Sequence, residues 1–452
     1  MQKLRELFRI LFTFDPTARL DLFATFPLIR RFFTHRSNLA ILRTFGDFAF
    51  TGLILLGLFG PQDPERNISL FLAWGIWWTG VVLSWFFVGK FWCGVCPFLG
   101  IGRLLQRFGL SLNLDPPHAL RKYFIHIAVL LFAAIIWAES VADMKHWPLG
   151  TAVLLLTILF GATAMGMLFK GQAWCRYICP LGKVIGAGAT MSMIELRPTP
   201  GLCRSCETTA CKKGRPGLRG CPVYLGAHNI RNSLDCLLCG RCVLLCDRES
   251  PRLLLRNPFV ELVAVKGRDL SCTFIIPFLA GSQWARYIDK NDWYHTFTST
   301  FFNSAALSFT VLLTLCFAAF LGIITFGNHL LGFRRSKLPI HCSPMIPVLT
   351  PLVFSGELIY RLDYLLSEAG RFPQVFARQF GLAVEGFSFV IPTWPLTTLS
   401  LVILVLGYLG SLYVTFLFKH RKSQPPPENF SSGSLQALVG TVTLVYLFLV
   451  FW

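Results

Sequence analysis

Charged residues are scarce in this chain, and acidic residues are the scarcest of them. Only 14% of the 452 residues are charged, with 23 Asp and Glu against 42 Lys and Arg. Such a low charged fraction, beside 54% hydrophobic residues, argues against a disordered chain and against an ordinary soluble domain. Glycine-rich G-x-G-x-x-G and Walker loops are absent, so no nicotinamide or nucleotide site is indicated. No C-x-x-C-H motif occurs either, which argues against attached haem.

Long apolar runs are abundant instead. Several approach the ~20 residues that a helix needs to cross a bilayer. The eight clearest are Phe45–Gly60, Ser69–Val88, Tyr123–Ala138, Trp147–Phe169, Ser304–Phe326, Pro344–Tyr360, Pro392–Phe418 and Leu435–Trp452. The sequence therefore predicts a mainly α, polytopic transmembrane protein with about eight helices.

The net charge of +19 follows the predicted topology. Lys and Arg cluster in residues 1–44, 90–122 and 170–256, whereas the short loops 61–67 and 140–146 carry few of them. Basic residues accumulate on the cytoplasmic side of membrane proteins, so these three segments are predicted to be cytoplasmic, at the inner membrane. The charge therefore gives no reason to expect a nucleic-acid partner, and membrane lipid is the expected one.

Two segments are harder to interpret. Residues 1–44 mix apolar residues with arginine, which suits either an amphipathic helix on an anionic membrane face or a cytoplasmic tail. In the second half, cytoplasmic placement of Arg334, Arg335 and Lys337 requires an even number of crossings between 257 and 333. Only one clear span occurs there, and Thr273–Ala280 is apolar but short. A tilted or re-entrant element within 257–300 would resolve the conflict.

Eight of the fifteen cysteines lie between Cys203 and Cys246. The last four, Cys236, Cys239, Cys242 and Cys246, have the spacing C-x2-C-x2-C-x3-C, which binds [4Fe-4S] clusters in bacterial ferredoxins. A cubane needs four soft anionic ligands, and two-residue gaps bring three thiolates around one tight loop. The fourth thiolate is then expected on the helical turn that follows.

An upstream set supplies the other four cysteines, Cys203, Cys206, Cys211 and Cys221, and Cys221 is followed by proline. In two-cluster ferredoxins the fourth cysteine of each set ligates the cluster of the other set. We therefore assign one cluster to Cys203, Cys206, Cys211 and Cys246, and the second to Cys236, Cys239, Cys242 and Cys221. Zinc is the alternative, because C-x2-C also binds zinc, although usually as paired units with longer gaps. Residues 197–256 are predicted to form a small α+β, two-cluster ferredoxin-like domain, inserted between membrane halves at 45–196 and 257–452.

A repeat in the first half carries four more cysteines. Cys93-Gly-Val-Cys96-Pro97 and Cys175-Arg-Tyr-Ile-Cys179-Pro180 each follow an apolar pair of helices and are each preceded by tryptophan. Two such loops at one membrane face suggest a third metal or redox site made by Cys93, Cys96, Cys175 and Cys179. Structural cysteines or a reversible dithiol are the alternatives.

Ionisable residues inside predicted spans are further candidates, because charge in hydrocarbon is costly. His126, Glu139 and Glu357 are candidate quinone-site residues, since quinol oxidation releases protons near a polar group. Glu357 and Arg361 stand four residues apart, so a simple ion pair within one helix is the alternative. The sequence suggests no catalytic residue.

The two Cys-Pro loops followed by two cluster motifs resemble the membrane polyferredoxin family, which includes NapH, NosR and CcoG. The resemblance covers roughly residues 45–256, and the first loop departs from the family pattern C-x3-C-P by one residue. It implies electron transfer between the quinone pool and a protein redox partner, with quinol dehydrogenase activity as one form. Two other functions remain open: a copper-handling assembly factor that uses the Cys-Pro loops, and an anchor subunit of a larger respiratory complex.

Overall fold

The computed structural model describes residues 10, 18–264, 270–301, 304–331, 344–382, 388–389, 391–420 and 431–452. Arg334, Arg335 and Lys337 lie outside these ranges, as does most of the stretch before Ala18 in the predicted N-terminal segment.

Long helices dominate the described part of the chain. Those of at least 20 residues are α1 Arg36–Phe59, α2 Ile68–Val88, α3 His118–Val141, α4 Pro148–Leu168, α5 Leu270–Asp289, α6 Ala305–Leu330, α7 Met345–Ala369, α8 Thr393–Lys419 and α9 Ser432–Phe451. All but α5 are long and apolar enough to cross a membrane, which gives eight candidate spans within the described residues. The predictions of a mainly α, polytopic fold and of about eight spans are therefore confirmed.

Helix α5 is longer than its apolar stretch indicated. It continues through Ser282, Gln283 and Arg286, all of which are buried. At its centre Gly281 allows close contact with α6, because a β-carbon there would lie 2.6 Å from the Cα atom of Phe317. Twenty residues of α-helix span ~30 Å, which matches the hydrocarbon thickness.

The chain folds into two compact units. Unit 1 contains the described residues up to Gly52 together with Ser84–Ala128 and Leu154–Glu261. Unit 2 contains Leu53–Leu83, Val129–Val153 and the described residues from Leu262 onward. The division passes through α1 to α4, whereas the predicted domain boundaries at 44, 196 and 256 follow the sequence and stay a prediction.

Unit 1 contains a three-stranded antiparallel sheet that supports the cysteine-rich segment. Strand β1 Arg19–Asp21 and strand β2 Ile194–Pro198 flank the central strand β5 Pro251–Arg256, with Arg19 opposite Arg256 and Pro198 opposite Pro251. A two-stranded hairpin, β3 Gly214–Arg215 and β4 Leu218–Arg219, lies between them in sequence. Leu196, Leu253 and Leu255 pack in one core with buried cysteines. The sheet therefore forms the base on which the cysteine loops are held.

Short helices complete unit 1. They are Leu22–Thr25, Pro27–Thr34, Phe91–Gly94, Gly100–Arg107, Pro180–Ala189, Pro200–Arg204, Ala210–Lys213 and Arg241–Leu245. Val260–Ala264, Asp292–Phe301 and Phe372–Gln379 are the remaining short α-helices of the described residues that follow β5. Several of the helices in unit 1 contain a cysteine or are flanked by one, so they set the positions of the thiols.

Candidate iron–sulfur and membrane sites

The C-x2-C-x2-C segment forms a tight loop that leads into a helix. The expectation that the fourth thiolate lies on this helix is wrong: Cys242, the third cysteine, lies on the helix Arg241–Leu245, and Cys246 follows it in an extended conformation. Leu238 and Gly240 have left-handed backbone angles, with φ of 48° and 72°. These residues turn the chain between Cys236 and Cys239 and again before the helix Arg241–Leu245, which carries Cys242. A β-carbon at Gly240 would approach side-chain atoms of Phe33 and Leu39 to 2.7 and 2.8 Å. Glycine is needed here both for its φ angle and for space.

Four of the cysteines surround one cavity in unit 1. Its lining includes Cys221, Cys236, Cys239 and Cys242, closed by apolar side chains such as Leu196 and Ile230. Cys221 comes from the upstream motif, yet it lies with the three cysteines of the downstream loop. This is the set that the sequence analysis assigned to one cluster, and four soft thiol donors around an enclosed space suit a cubane.

The other four cysteines lie around a second group of contacts. Ser250 Oγ is 3.1 Å from Cys203 Sγ, and the Ser250 backbone N–H donates to Cys246 Sγ at 3.4 Å. Cys211 Sγ accepts from the Ala227 backbone N–H at 3.4 Å. Cys211 is also close enough to Cys206 and Cys246 for their charges to raise its pKa, after burial as the main cause. Cys203, Cys206, Cys211 and Cys246 are therefore neighbours, as the cross-ligation assignment requires.

The protonation of the thiols differs with their surroundings. Backbone N–H donation from Thr209 lowers the pKa of Cys206, whereas burial raises the pKa of Cys236 to about 12. A buried thiol of this kind is a poor thiolate by itself and becomes one when a metal centre replaces its proton.

The two Cys-Pro loops converge within unit 1. Cys93 lies in the helix Phe91–Gly94, and Cys179 precedes the helix Pro180–Ala189, where its Sγ accepts from the Gly182 backbone N–H at 3.2 Å. Burial, with a smaller effect of the charge of Cys179, raises the pKa of Cys93 to about 12. Burial also raises the pKa of Cys96 and Cys175, and each of these is affected by thiols of the opposite loop. The four loop thiols are thus neighbours, which the sequence repeat had suggested.

The first Cys-Pro loop lies directly against the downstream cysteine loop. The buried Lys90 donates to the Leu234 carbonyl oxygen at 2.6 Å. Its charge opposes the rise that burial causes in the pKa of Cys93 and Cys179. Arg43 donates to two backbone carbonyl oxygens, that of Gly94 at 2.9 Å and that of Cys239 at 3.2 Å. These bonds link the loop thiols to the Cys221–Cys242 cavity.

Among the described residues, no three His, Cys, Asp or Glu side chains are close enough to hold a single metal ion. A cubane does not require such convergence, because each thiolate binds a different iron atom. The cysteine sets therefore suit a cluster by their donor chemistry, and the set of Cys221, Cys236, Cys239 and Cys242 also by the cavity that it lines.

A buried ion network lies in unit 2 and is formed by Glu139, Arg286, Glu357 and Arg361, with the partly buried Lys145 3.2 Å from Glu139 at its edge. Glu139 accepts from Nη1 and Nη2 of Arg361 at 2.8 and 3.3 Å. Arg361 Nε donates to Glu357 at 2.8 Å, and Arg286 Nη2 donates to the other oxygen of Glu357 at 2.6 Å. All four side chains are at most 3% exposed. The predicted ion pair within α7 is present, and it belongs to a larger network that joins α3, α5 and α7.

His126 does not belong to this network. It lies on α3 thirteen residues before Glu139, ~20 Å along the helix, where it is exposed and contacts the ring of Tyr123. Of the three residues predicted for a quinone site, the structure joins Glu139 and Glu357 through Arg361 and leaves His126 apart.

Several residues of these sites were not predicted from the sequence. Lys90, Arg43 and Arg286 reach their partners from 51 to 196 positions away. Ser250 contacts Cys203 from 47 positions away and Cys246 from four. The one local indication in the sequence is Lys90 beside the first Cys-Pro loop, and the sequence analysis interprets it as a basic residue of a cytoplasmic loop.

Comparison with known proteins agrees with the cysteine motifs. A family model described as a 4Fe-4S binding domain matches residues 70–114 and 151–186, each of which contains one Cys-Pro loop. The match ends before Cys203. No solved structure matches the chain.

Curated relatives match about a third of the chain. The chain is 26% identical over 153 residues to the putative electron transport protein YccM of Escherichia coli, covering 33% of this chain and 38% of the relative. It is 30% identical over 196 residues to the protein NirI of Paracoccus denitrificans, covering 36% and 26%. It is 26% identical over 170 residues to the ferredoxin-type protein NapH of Escherichia coli, covering 34% and 58%. The matched segments thus span less than two thirds of each of these relatives.

The cysteine loops, the eight apolar helices and these relatives together confirm the resemblance to the NapH-like membrane polyferredoxins over the matched part of the chain.

Proposed function

We propose that this protein carries electrons between the quinone pool and a protein redox partner through two [4Fe-4S] clusters. The main support is the grouping of Cys221, Cys236, Cys239 and Cys242 around one cavity, although Cys221 belongs to the upstream motif. Such clusters supply one-electron chemistry when bound. The printed names of YccM as an electron transport protein and NapH as a ferredoxin-type protein agree with this proposal.

The eight ferredoxin-type cysteines would hold the clusters, and their neighbours would orient them. Backbone N–H groups of Ala227 and Ser250 donate to Cys211 and Cys246, and such bonds to ligand sulfur tune reduction potentials. The buried Cys236 and Cys242 exclude water from one set, while Cys206 is more open. The two clusters therefore have different surroundings and are expected to differ in potential.

A third redox centre at Cys93, Cys96, Cys175 and Cys179 is part of the proposal. The match of the 4Fe-4S family model to both Cys-Pro loops favours it, as does the contact of the first loop with Cys239. Copper handling at these four cysteines is the second candidate function, because thiolates also select Cu(I). An anchor subunit that only conducts electrons within a larger respiratory complex would use the same cysteines.

The quinone is proposed to bind at the buried ion network. Ionisable residues inside a membrane protein mark functional sites by default, and Glu139 and Glu357 lie on two different spans. Arg286 Nη1 is buried and has no hydrogen-bond acceptor among the described residues, so it is available to a quinone carbonyl. The cluster domain is proposed to face the cytoplasm, on the evidence of its basic residues.

The test is anaerobic purification followed by counts of iron, acid-labile sulfide, copper and zinc. About eight iron atoms support two clusters, and about twelve support a third cluster at the loops. Zinc without iron would contradict the proposal, and copper beside eight iron atoms would favour the second candidate function.

Reduction by a quinol analogue tests the membrane partner. Glu357→Gln should slow reduction of the clusters, whereas the matched control Glu368→Gln, on the same helix but outside the network, should not. Equal rates of cluster reduction in the two variants would contradict quinone binding at the network and would not affect the cluster proposal.

A further inference from the structure

Unit 1 contains a second cavity of about 300 Å³, and the basic side chains that line it have no role in the electron-transfer proposal. It lies beside the cluster cavity, and the two share Cys221, Cys239 and Arg241 as lining residues. The volume is at the lower end of the range for small-molecule sites.

The charge of this cavity is one-sided. Seven Lys and Arg side chains line it, and no Asp or Glu does. Three of them, Arg107, Lys212 and Lys213, have no acidic partner among the described residues, and only Arg103 is paired with a carboxylate, that of Asp47 at 3.3 Å.

The remaining arginines are held by neutral groups. Arg43 donates to backbone carbonyl oxygens, Arg241 donates to the Gly220 carbonyl oxygen at 3.2 Å, and Arg219 donates to Gln106 Oε1 at 2.9 Å. These bonds fix the guanidinium groups and leave their charge uncompensated. Burial lowers the pKa of Arg241, and repulsion from neighbouring arginines lowers it further.

We infer that this basic cavity binds a phosphate-bearing anion, either the headgroup of an acidic lipid or a soluble phosphate compound. Guanidinium groups bind phosphate through paired, charge-assisted hydrogen bonds, and several of them around one concave space suit a group with more than one negative charge. Polar lining groups such as Gln172, Ser111 and Asn113 supply further hydrogen-bonding atoms.

The anion would also act on the neighbouring cluster. Cys221 and Cys239 line both cavities, so a bound anion places negative charge beside them and opposes the addition of an electron. This part of the inference rests on the proposed function, whereas binding itself does not.

The binding test uses the full-length protein in nanodiscs of neutral phosphatidylcholine, titrated with inorganic pyrophosphate by calorimetry. Saturable binding is expected, and the double variant Arg107→Gln/Lys213→Gln should bind about tenfold more weakly, because two charge-assisted contacts are lost. Both positions are exposed, so the fold should survive. Arg231→Gln, an exposed cation of the same unit outside the cavity, is the matched control and should bind as the unaltered protein does.

A second arm separates the two sources of phosphate. Nanodiscs that contain phosphatidylglycerol should weaken pyrophosphate binding if the lipid headgroup occupies the cavity, and should leave it unchanged if a soluble compound does. No saturable binding in neutral nanodiscs, or an equal loss in the double variant and in Arg231→Gln, would overturn the inference.

Redox titration completes the test. Pyrophosphate should lower the potential of one cluster in the unaltered protein, and the double variant should need about tenfold more pyrophosphate for the same shift. Binding without any shift would overturn the placement beside Cys221 and Cys239. Absence of iron would instead contradict the proposed function, and the pyrophosphate titration would still be interpretable.

Discussion

Gly94 and Cys239 touch backbone to backbone: a β-carbon on Gly94 would lie 3.1 Å from the Cα atom of Cys239 and 2.8 Å from the Leu237 carbonyl oxygen. The first Cys-Pro loop therefore rests on the loop that supplies three of the proposed cluster ligands. Neither backbone can yield easily, because Arg43 also binds both.

Replacement of this glycine should disturb both loops. Gly94→Ala is expected to destabilise the protein by about 1–3 kcal/mol through overpacking, and to reduce its iron content. Thermal unfolding and iron analysis measure the two effects. Gly201→Ala is the control, since a β-carbon at Gly201 meets nothing within 4 Å. Similar iron content and unfolding temperature in both variants would contradict this contact.

Two glycines with the same backbone angle separate strain from crowding. Gly240 and Gly217 both have φ of 72°, but only Gly240 is crowded, by Phe33 and Leu39. Gly217→Ala should therefore show the cost of the left-handed angle alone, ~1 kcal/mol. Gly240→Ala should cost more and should release iron. If thermal unfolding shows equal destabilisation of Gly217→Ala and Gly240→Ala, the crowding at Gly240 has no energetic cost.

The grouping of the cysteines can be tested by single substitutions. Cys221→Ser should remove the same electron paramagnetic resonance signal as Cys236→Ser, and Cys211→Ser the same signal as Cys203→Ser. Each change should cost about four of eight iron atoms. Cys272→Ala, outside both sets, should leave the iron content unchanged. If Cys221→Ser instead affects the signal that depends on Cys211, the cross-ligation assignment is wrong.

The buried ion network should be costly to break. Arg361→Gln leaves Glu139 with Lys145 alone, at 3.2 Å, and Glu357 with Arg286 alone. Removal of one partner from a buried ion pair costs about 3–5 kcal/mol. Arg371→Gln is the control. Arg371 is 65% exposed and its ion pair with Glu368 is long, at 3.7 Å, so the loss of this pair should cost little. Thermal unfolding in detergent measures both. The double variant Glu139→Gln/Arg361→Gln should lose less than the two single changes together, and simple additivity would mean that the pair is not coupled.

Helix α5 is expected to cross the membrane. It would then bring residues 290–304 to the side opposite the cluster domain and return Arg334, Arg335 and Lys337 to the cytoplasm, as their charge requires. Ser299→Cys should react with a membrane-impermeant thiol reagent in intact cells, whereas Ser205→Cys in the cluster domain should react only after lysis. Protection of Ser299→Cys before lysis would show that α5 does not cross.

The spans were predictable because hydrocarbon imposes length and apolarity on every crossing. The ends of the spans were less predictable, since the first predicted span begins at Phe45, whereas α1 begins at Arg36. Arg43 and Asp47 interrupt the apolar run, yet both have partners, in Cys239 and Arg103. Helix α5 was underestimated for the same reason, since Gln283 and Arg286 lower its hydropathy but bind Glu357.

Within the sites, the two-residue gaps between Cys236, Cys239 and Cys242 fix the local loop, whereas the placement of Cys221 with these three came from the pattern of two-cluster ferredoxins, and the ligand assignment stays a prediction. The bond between Glu139 and Arg361 joins residues 222 positions apart, and no local pattern encodes such a partner. The basic cavity could not be predicted either, since its lining comes from distant segments. The sequence analysis interprets its basic residues only as markers of the cytoplasmic side.

The three-stranded sheet has a consequence for biosynthesis. Strand β1 can pair only with β5, and Arg252 of β5 contacts Asp21 of β1 across 231 positions. At ~5–20 residues per second, the ribosome needs roughly 10–50 s to deliver the partner strand. Four membrane helices must be inserted in that interval while β1 waits unpaired. The sheet beneath the cysteine-rich segment can therefore close only after these four helices have been synthesised, and under the proposed function iron loading is expected to come last.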